Sequence, residues 1–420
     1  MSVPTLRLGE PAVARIINGQ SPPSSAYNTS GDGLPFYQGK ADFGSLFPTP
    51  RVWATEGPKR AQAKDVLISV RAPVGDVNMA TGDCVIGRGV AAVRAGSNSD
   101  PWFLYFALQH LKPTLEARAT GSTFASINGT TLADLNLPRF ELGDQEKIGR
   151  ALKRIAQHAH NEEVSANACR ELKDASMRAL FTRGLRSEGQ RDSEIGPVPE
   201  SWEVAALGSV RDWLQYGTSV RCGHEPTVNP VLRIPNIASG RVNTLALKYG
   251  TLSAEEAARY RLEVGDLLFI RTNGVIERLG DCAVFDGEPA GALFASYLIR
   301  ARLDTKRVHP RFVAHFFGSE LGRAIIAGRA TPAADGKYNL NTGTIDRLPI
   351  PLPTSLDEQR EIARTLDALD QKCELHRRKR AVLDELFNVL LHKLMTGEIR
   401  VADLNLDALT ATSSVVGAFA

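Results

Sequence analysis

The stretch DEQREI at positions 357–362 decides the fold, because its counterpart DQEKI occupies positions 144–148. Ile148 and Ile362 are 214 residues apart, and the downstream residues keep the same interval over the following 34 positions. A constant interval means that neither copy has gained or lost a residue. Further upstream the intervals drift, as they do when loops of different length connect a shared framework. The chain therefore consists of one unit used twice.

Each copy of this motif opens a long helical segment. In the second copy, apolar residues recur at alternating steps of four and three from Ile362 to Leu394, which is the heptad period. The first copy, which starts at Asp144, has the same heptad row of residues, called a seam here, but its residues are smaller and less apolar. Gly184 and Gly397 end the two helices. Because a single amphipathic stripe cannot bury itself, we expect the two helices to pack on each other.

Glu162 and His376 occupy equivalent positions in the two seams. They allow two interpretations, a polar notch between the helices or a solvated edge of the helix pair. The sequence favours the solvated edge.

The segments that precede the helices are rich in β-branched and apolar residues and are punctuated by glycine and proline, which indicates β-structure. The fold class is therefore α+β. Strands are predicted over 65–71, 84–94, 265–271 and 292–300, and helices over 102–111 and 312–327.

The repeat also sets the domain boundaries. The second half begins with a lead-in at 199–202 that has no counterpart in the first half, so we expect the first domain to lack an edge element. The predicted parts are a first domain (1–143), a long helix (144–183), a polar linker (184–199), a second domain (200–356), a second long helix (357–396) and a partly disordered tail (397–420).

Composition excludes several classes of protein. No run of about 18 apolar residues exists, so no membrane span is expected, and the N-terminus does not resemble a signal peptide. Five widely spaced cysteines fit a reducing cytoplasm better than a disulfide framework. The net charge of +3 is small for a protein that binds DNA alone. If this chain binds DNA, its basic residues must act locally or partner chains must share the phosphate contacts.

Motifs for catalysis fail on inspection. The stretch GLPFYQGK at 33–40 is similar to a phosphate loop, but Ala41 stands where a magnesium-binding Ser or Thr is required. Cys222 and His224 have no second ligand pair at zinc spacing. No S-adenosylmethionine loop or methyltransferase tetrapeptide appears. The sequence favours binding over chemistry, with a self-contained methyltransferase or nuclease, or a duplicated scaffold, as alternatives.

The chain resembles the specificity subunit of Type I restriction–modification systems. The resemblance rests on strings that occur in order along nearly the whole chain: GLPFYQGKADFG (33–44), LRIPNI (232–237), GRV (240–242), GDLL (265–268), LPIPLP (348–353) and EQREI (358–362). It implies two β-rich target recognition domains related by pseudo-twofold symmetry and joined by two long antiparallel coiled-coil helices. Each domain would read one half of a split double-stranded DNA site.

The resemblance also implies partners and cofactors. Adenine methyltransferase (M) subunits, two of them expected, would dock on this chain, and restriction/translocase (R) subunits would join through them. S-adenosylmethionine, ATP and magnesium would be bound by those partners and none by this chain, which would be a non-catalytic cytoplasmic subunit. A helix of about 35 residues spans roughly 50 Å, or about fifteen base pairs, so it would set an unread spacer between unlike half-sites.

Reading bases requires polar side chains at groove edges. Polar loops at 119–126 and 328–339 occupy matching places in the repeat. A solvated surface is the alternative for each candidate, and a structural ion pair is a further alternative for Arg233 and Arg271. The basic run at 377–380 fits a solvated helix face or a methyltransferase contact better than a phosphate track. The candidates are Tyr37, Gln38, Lys40, Arg71, Ser122, Thr123, Arg221, Arg233, Asn236, Arg241, Arg271, Asn273, Arg278, Lys337 and Tyr338.

Overall fold

Two units make up the chain, and each combines a globular part with a portion of both long helices. The first unit consists of residues 1–165 and 375–420, and the second consists of residues 166–374. The structure is a computed structural model, and it describes residues 4–120, 125–238 and 240–404.

The first unit is built mainly from short strands. Its strands are β1 (Thr5–Arg7), β2 (Ala14–Asn18), β3 (Tyr27–Asn28), β4 (Leu34–Tyr37), β5 (Trp53–Ala54), β6 (Arg60–Ala61), β7 (Val66–Ser69), β8 (Val77–Met79), β9 (Cys84–Ile86), β10 (Val90–Ala95) and β11 (Asn136–Pro138). Its helices are α1 (Pro101–His110), α2 (Lys112–Arg118), α3 (Gly129–Ala133) and the first part of α4 (Leu142–Arg183). The strands pair in the orders β2-β10-β7-β8, β3-β5-β4-β9-β6 and β1-β11.

The core of the first unit lies between the sheet that contains β7 and β10 and helix α1. The strand β7 is buried along its whole length, as is most of β10, so both lack the alternation of a half-exposed strand. Helix α1 begins with a proline after Asp100, whose side chain accepts a hydrogen bond from the backbone of Phe103 at 2.9 Å. Phe103 then joins the same hydrophobic cluster as Val66 and Val93.

The second unit follows the same plan with a larger number of strands. Its strands are β12 (Gln190–Ser193), β13 (Gly196–Pro199), β14 (Glu203–Ala206), β15 (Arg211–Tyr216), β16 (Cys222–Gly223), β17 (Pro230–Leu232), β18 (Ile237–Ala238), β19 (Gly240–Val242), β20 (Lys248–Gly250), β21 (Leu267–Ile270), β22 (Thr272–Asn273), β23 (Cys282–Val284), β24 (Leu293–Phe294), β25 (Leu298–Leu303), β26 (Thr331–Pro332), β27 (Tyr338–Asn339) and β28 (Pro349–Leu352). Its helices are α5 (Ala254–Tyr260), α6 (Pro310–Gly318), α7 (Glu320–Ala327), α8 (Thr342–Asp346) and the first part of α9 (Leu356–Thr396). The strands pair in the orders β15-β25-β21-β23-β19-β18, β16-β20-β17-β24, β22-β27-β26, β14-β28 and β12-β13.

A buried aspartate ties together the central strands of each unit. Asp65 is 2% exposed, and Arg94 donates to it twice, from Nε at 2.9 Å and from Nη2 at 2.8 Å. In the second unit Asp266 is 1% exposed, and Arg302 donates to it in the same way at 2.8 and 2.9 Å. Such a bidentate pair compensates a carboxylate that would otherwise be very costly to bury. The α+β class predicted from the sequence is confirmed, and the repeat extends to this ion pair.

A glutamine near the start of each long helix fastens that helix to the globular part. Gln145 accepts a hydrogen bond from the backbone of Asp100 at 3.0 Å and donates to two further backbone carbonyls. Gln359 accepts from the backbone of His309 at 2.8 Å and likewise donates to two carbonyls. Both glutamines are almost completely buried. This tether explains why the DQEKI and DEQREI motifs recur.

The long helices pack with opposite chain directions in the first unit. Ile148, near the start of α4, shares a hydrophobic cluster with Leu394, near the end of α9. Further along α4, Glu162 contacts His376, which comes earlier in α9. The start of α4 thus packs against the end of α9, and later residues of α4 contact earlier residues of α9. This confirms the predicted antiparallel packing.

The second unit shows the same direction of packing. Lys173 Nζ lies 2.5 Å from Asp370 Oδ1, and Phe181 shares a cluster with Ile362. The Sγ atoms of Cys169 and Cys373 lie 2.7 Å apart. No helix within the described parts of the chain is long and apolar enough to cross a membrane.

Glu162 and His376 form a polar notch, so the expectation of a solvated edge is wrong. His376 Nδ1 lies 2.6 Å from Glu162 Oε2, and the two side chains are only 18% and 22% exposed. Each polar group satisfies the other between the helices, which avoids the cost of burying an unpaired polar side chain.

The first unit has an edge element, contrary to the expectation. Strand β1 pairs antiparallel with β11, as β14 pairs with β28 in the second unit. The second unit has in addition an antiparallel hairpin formed by β12 and β13, which occupies most of the segment described above as a linker. Ile195 and Val198 of this hairpin are buried in the core of the second unit, so the segment is part of that unit.

The described part of the tail belongs to the first unit. Val401 is buried in the first unit's hydrophobic cluster, and Leu404 packs against the same cluster. The rest of the segment expected to be disordered, 405–420, lies outside the described residues.

Candidate nucleic-acid interface

In the first unit the structure brings Gln38, Lys40 and Arg71 together. They line one depression of about 220 Å³ with Ser21 and Arg88, and we call it the cationic depression. All of these residues except Ser21 are exposed. Guanidinium, ammonium and amide groups so placed can bind phosphate oxygens and the acceptor edges of bases.

A buried aspartate shapes the turn that carries Gln38 and Lys40. Asp42 is 7% exposed, and its carboxylate accepts hydrogen bonds from the backbone of Gln38 at 2.7 Å and from Arg51 Nη2 at 2.7 Å. The backbone of the turn is therefore fixed while the side chains of Gln38 and Lys40 remain at the surface. Lys40 Nζ also lies 3.2 Å from Asp76, which balances part of its charge.

Tyr37 lies beneath this surface, and the prediction of a base contact there needs correction. Its side chain is only 3% exposed and packs in a hydrophobic cluster. Burial raises the pKa of Tyr37 to about 12, and the neighbouring Cys84 and Asp42 act in the same direction. A side chain buried in this way cannot reach DNA in this conformation.

The polar loop at 119–126 begins and ends beside Arg71. The backbones of Thr120 and Ser126 exchange two hydrogen bonds of 3.0 Å, and Ser126 also forms a β-bridge with Arg71. Ser122 and Thr123, which were predicted to contact bases, lie outside the described residues. The structure thus fixes both ends of the loop next to the cationic depression.

An equivalent turn follows β17 in the second unit, where Asn236 takes the role of Asp42. Asn236 is 0% exposed. Its Oδ1 accepts from the backbone of Arg233 at 2.9 Å, and its Nδ2 donates to the carbonyls of Asn243 and Leu245 at 2.9 and 3.2 Å. Because both ends of this amide are occupied in the interior, the prediction of a base contact at Asn236 is also corrected. Asn236 holds the turn.

Arg233 and Arg271 are anchored by backbone carbonyls. Arg233 Nη2 donates to the carbonyl of Ala246 at 3.0 Å. The guanidinium of Arg271 lies over the ring of Tyr216 at 4.6 Å, and its Nη1 lies 3.5 Å from the carbonyl of Ser296. Neither arginine forms an ion pair with a carboxylate in the described residues, so the alternative of a structural ion pair does not apply to them.

Asn273, Lys337 and Tyr338 meet on the sheet β22-β27-β26, which we call the small sheet. Asn273 stands opposite Tyr338 in the antiparallel pair of β22 and β27, and Lys337 directly precedes β27. Lys337 Nζ lies 2.7 Å from Asp335 at the surface, and Asn273 Oδ1 accepts from the backbone of Val275 at 2.9 Å. The small sheet therefore gathers three of the predicted contacts of the second unit.

The remaining candidates of the second unit lie on other elements. Arg221 is exposed and directly precedes β16. Arg278 Nε lies 3.8 Å from Asp281. Arg241 lies on β19, and its Nη2 is 3.1 Å from Asp367, so this side chain is engaged within its own unit.

The basic run at 377–380 lies on α9 in the first unit. Arg380 Nη1 lies 2.8 Å from Glu163, and its Nε lies 3.4 Å from Asp384. Carboxylates on the helix surface thus compensate this charge, which favours a solvated helix face over a phosphate track at Arg380.

His315, Asp367 and Asp370 have the composition of a metal site, and their candidate ligand atoms lie within 4.8 Å of one another. The carboxylates already pair with cations, however. Asp370 lies 2.5 Å from Lys173 Nζ, and Asp367 lies 3.1 Å from Arg241. A divalent ion would have to displace these cations, so the cluster is better described as an ion-pair network than as a metal centre.

Arg88 is not among the residues predicted from the sequence. This residue lies in the turn between β9 and β10, and its backbone N–H donates to Ser21 Oγ at 3.3 Å. A single continuous strand over 84–94 had been expected, which concealed the turn. Gly87 and Gly89 on either side of the arginine are the signal that could have revealed it.

These features define a duplicated α+β binding protein with a different polar surface on each unit. The family model described as the Type I restriction modification DNA specificity domain matches residues 5–166 and 199–385. The two matches cover well over half of the chain and fall on both copies of the repeat. The chain therefore belongs to this family, as its motifs had indicated.

Three relatives carry names of the same kind. The type I restriction enzyme MjaVIII specificity subunit of Methanocaldococcus jannaschii is 23% identical over 321 residues, which are 73% of this chain and 72% of that protein. The type I restriction enzyme EcoKI specificity subunit of Escherichia coli is 24% identical over 259 residues, 61% of this chain and 55% of that protein. A second M. jannaschii protein, whose name also refers to a specificity subunit (MjaX), is 37% identical over 182 residues. That match spans 43% of each chain, and the chain thus spans about half the length of two of these relatives.

A solved structure shares the fold over nearly the whole chain. The crystal structure of the S subunit of a Type-I restriction-modification system from M. genitalium matches with a TM-score of 0.66 and 16% sequence identity. The match covers 93% of this chain and 96% of that chain. At this level of identity the comparison establishes the fold.

Proposed function

We propose that this chain is the DNA-reading specificity subunit of a type I restriction–modification complex. It recognises a bipartite, asymmetric site in double-stranded DNA and directs adenine methylation and restriction by partner subunits. Each unit reads one half of the site. The family to which the chain belongs and the names of its relatives support this role.

One observation carries the proposal: equivalent turns hold different side chains at the surface. Asp42 and Asn236 support the two turns from below through hydrogen bonds to the backbone. Above this support the first unit presents Gln38 and Lys40, whereas the second presents Arg233. Two half-sites of different sequence require different hydrogen-bond donors and acceptors, and the two equivalent turns provide them.

The distribution of charge suits a subunit that works within a larger assembly. The net charge is only +3, and the first unit brings Lys40, Arg71 and Arg88 together in the cationic depression. Phosphate contacts scale with the number of such cations. Partner chains would therefore supply part of the grip on the DNA backbone.

We assign the chemistry to those partners. Adenine methyltransferase (M) subunits, two of them in the proposed complex, bind this chain and S-adenosylmethionine. Restriction/translocase (R) subunits join through the M subunits and use ATP and magnesium. The five widely spaced cysteines fit the reducing cytoplasm in which such a complex would act.

The first experiment measures DNA binding by the complex with M subunits at several salt concentrations. Lys40→Ala and Arg71→Ala should each weaken binding, and loss of one phosphate contact should reduce the salt slope by about one unit. Arg139→Ala removes an exposed arginine that does not line the cationic depression and should leave the slope unchanged. Equal slopes for all variants would remove the cationic depression from the interface.

The second experiment exchanges residues 1–143 for those of another family member and sequences the methylated sites. Only one half of the recognised sequence should change. A change in both halves, or in neither, would contradict the assignment of one half-site to each unit.

Two controls address the alternatives. Methyl transfer to DNA by the purified chain with S-adenosylmethionine alone would show that the chain is itself an enzyme. A chain that binds M subunits but gives the complex no sequence preference would be a scaffold.

A further inference from the structure

We propose that a second turn in each unit carries a specificity-determining side chain, which is Arg88 in the first unit and Tyr297 in the second. These turns connect β9 to β10 and β24 to β25. The inference rests on the proposed function and adds a reading element to each unit that the sequence motifs did not indicate.

The ends of these two turns are held in the same way. The backbone N–H of Val70 donates to the carbonyl of Gly89 at 2.9 Å, and that of Arg271 donates to the carbonyl of Tyr297 at 3.1 Å. Gly89 and Tyr297 therefore stand at equivalent positions, each beside the strand that leads into the proposed interface.

The beginnings of the turns match as well. The backbone N–H of Gln20 donates to the carbonyl of Ile86 at 2.9 Å, and that of Thr218 donates to the carbonyl of Phe294 at 2.8 Å. Because both ends of the two turns are held by equivalent hydrogen bonds, the turns follow a common backbone path and differ in the side chains between those ends.

The first unit cannot carry a side chain at the position of Tyr297. A Cβ atom added to Gly89 would lie 2.1 Å from the carbonyl oxygen of Gln38, which is far inside van der Waals contact. In the first unit, the exposed side chain of this turn is that of the preceding residue, Arg88. It lines the cationic depression. An arginine there can donate two hydrogen bonds to O6 and N7 of a guanine.

The second unit exposes an aromatic side chain at this place. Tyr297 is 59% exposed although the next residue, Leu298, is completely buried. The carbonyl of Tyr297 accepts from the backbone of Arg271 at 3.1 Å, and the carbonyl of Arg271 accepts from the backbone of Leu340 at 2.8 Å, directly after β27. The tyrosine therefore lies near the small sheet. A tyrosine can pack on a thymine methyl group and use its hydroxyl as donor or acceptor.

The test selects binding sites from a library of random double-stranded DNA, using the complex of the full chain with M subunits. Arg88→Ala should make one base position degenerate in one half of the selected site, and Tyr297→Ala should do so in the other half. Loss of a good base contact should reduce discrimination at that position roughly 5- to 150-fold. Binding to unrelated DNA should change little for Tyr297→Ala.

Conservative variants separate recognition from charge and shape. Arg88→Lys keeps the charge but loses the bidentate geometry, so it should retain non-specific affinity and still lose discrimination. Tyr297→Phe keeps the ring, and it shows whether the hydroxyl contributes. Arg139→Ala is the matched control for an exposed arginine, and thermal unfolding confirms that each variant is folded.

The outcomes are distinguishable. If the wild-type complex selects a defined site and all variants select the same site, this inference is overturned while the proposed function stands. If a variant weakens binding to all sequences equally, its residue contacts the backbone, which also overturns the specificity role. If the wild-type complex selects no sequence, the proposed function falls, and this inference falls with it.

Discussion

Asp65 and Asp266 perform the same task in the two units, whereas Arg88 and Tyr297 stand on equivalent turns and offer unlike chemistry. Each aspartate is buried and receives a bidentate pair of hydrogen bonds from an arginine on a neighbouring strand. The turn residues are exposed, and they differ in charge, size and hydrogen-bonding groups.

The difference shows which residues can vary between the two copies of a duplicated unit. Groups that satisfy buried backbone or charge can vary little, as from Asp42 to Asn236 at the equivalent turns, because an unpaired buried partner is costly. Gln145 and Gln359 show this in the tether of each long helix. Exposed side chains that form no buried contact carry no such constraint, so under the proposed function they can change with the DNA sequence.

The largest expected effect comes from breaking the buried ion pair in the second unit. Asp266→Ala removes the buried bidentate partner of Arg302, which keeps its contact with Glu263 at 2.7 Å. It also removes the carboxylate that lies 3.8 Å from Arg300, a side chain that is 1% exposed. We expect this unit to lose about 3–5 kcal/mol of unfolding free energy. Asp65→Ala should cost less, about 1–3 kcal/mol, since the side chain of Arg94 is 31% exposed and can turn to solvent.

Hydrogen exchange of peptides from each unit during urea denaturation measures the two losses separately, because a chain of two units need not unfold in one step. Equal losses would show that the burial of Arg300 does not matter. A loss in the unsubstituted unit would show that the two units unfold together.

The helix tethers should give the next effect. Gln145→Ala and Gln359→Ala each remove a buried side chain that makes three hydrogen bonds to the backbone. We expect a loss of about 1–3 kcal/mol in the unit concerned, similar for the two variants. Thermal unfolding measured by calorimetry checks this, and a clear difference between the variants would contradict the equivalence of the tethers.

The short-helix caps should have a smaller effect. Asn128 accepts a hydrogen bond from the backbone of Thr131 at 2.9 Å, and Asn341 accepts one from Thr344 at 2.8 Å. Replacing either asparagine by alanine should cost about 1 kcal/mol. Asparagine to serine is the control in each unit, since serine can also cap and should restore most of the stability in the same urea titration.

The smallest expected effect distinguishes the units by pH. Burial alone would raise the pKa of Asp367, but the hydrogen bond from His315 and the charges of Arg311 and Arg241 outweigh it and hold this pKa below its usual value. The carboxylate therefore stabilises the second unit at pH values above its unfolded pKa. That contribution disappears as the pH falls through the lower folded pKa.

Asp367→Asn should make the second unit less sensitive to acid by roughly 1 kcal/mol or less between about pH 5 and pH 2. The position of His315 corresponds to Phe106 in the first unit, so the first unit serves as an internal reference. Urea midpoints measured across this range provide the test, and a variant with the pH dependence of the wild type would remove Asp367 as the cause.

Elements with a clear pattern of apolar residues were predictable from the sequence. The heptad steps from Ile362 to Leu394 lie within a single helix, α9. The apolar segment at 65–71 contains β7, which is buried throughout. In these cases the pattern that the residues show along the chain is itself the cause of the structure.

What the sequence did not reveal depends on contacts between distant residues. Tyr37 and Asn236 are polar at one end and lie near turns, so they looked like surface groups, yet both are buried. The hairpin at 190–199 is held in place by buried apolar side chains such as Ile195 and Val198, which a polar stretch conceals. The pairing of Glu162 with a histidine 214 residues away depends on the register of two helices, which spacing along one chain does not determine.

The first unit is discontinuous, since it joins residues 1–165 to residues 375–420, whereas the second is one uninterrupted segment. During synthesis the second unit is therefore complete before the ribosome has made residues 375–420 of the first unit. The strands of the first unit, which are made earlier, must remain soluble until then. A nascent chain that stops near residue 374 would contain every residue of the second unit. It would lack Leu394, which is completely buried in the other. Premature termination would thus impair the half of the molecule that is made first.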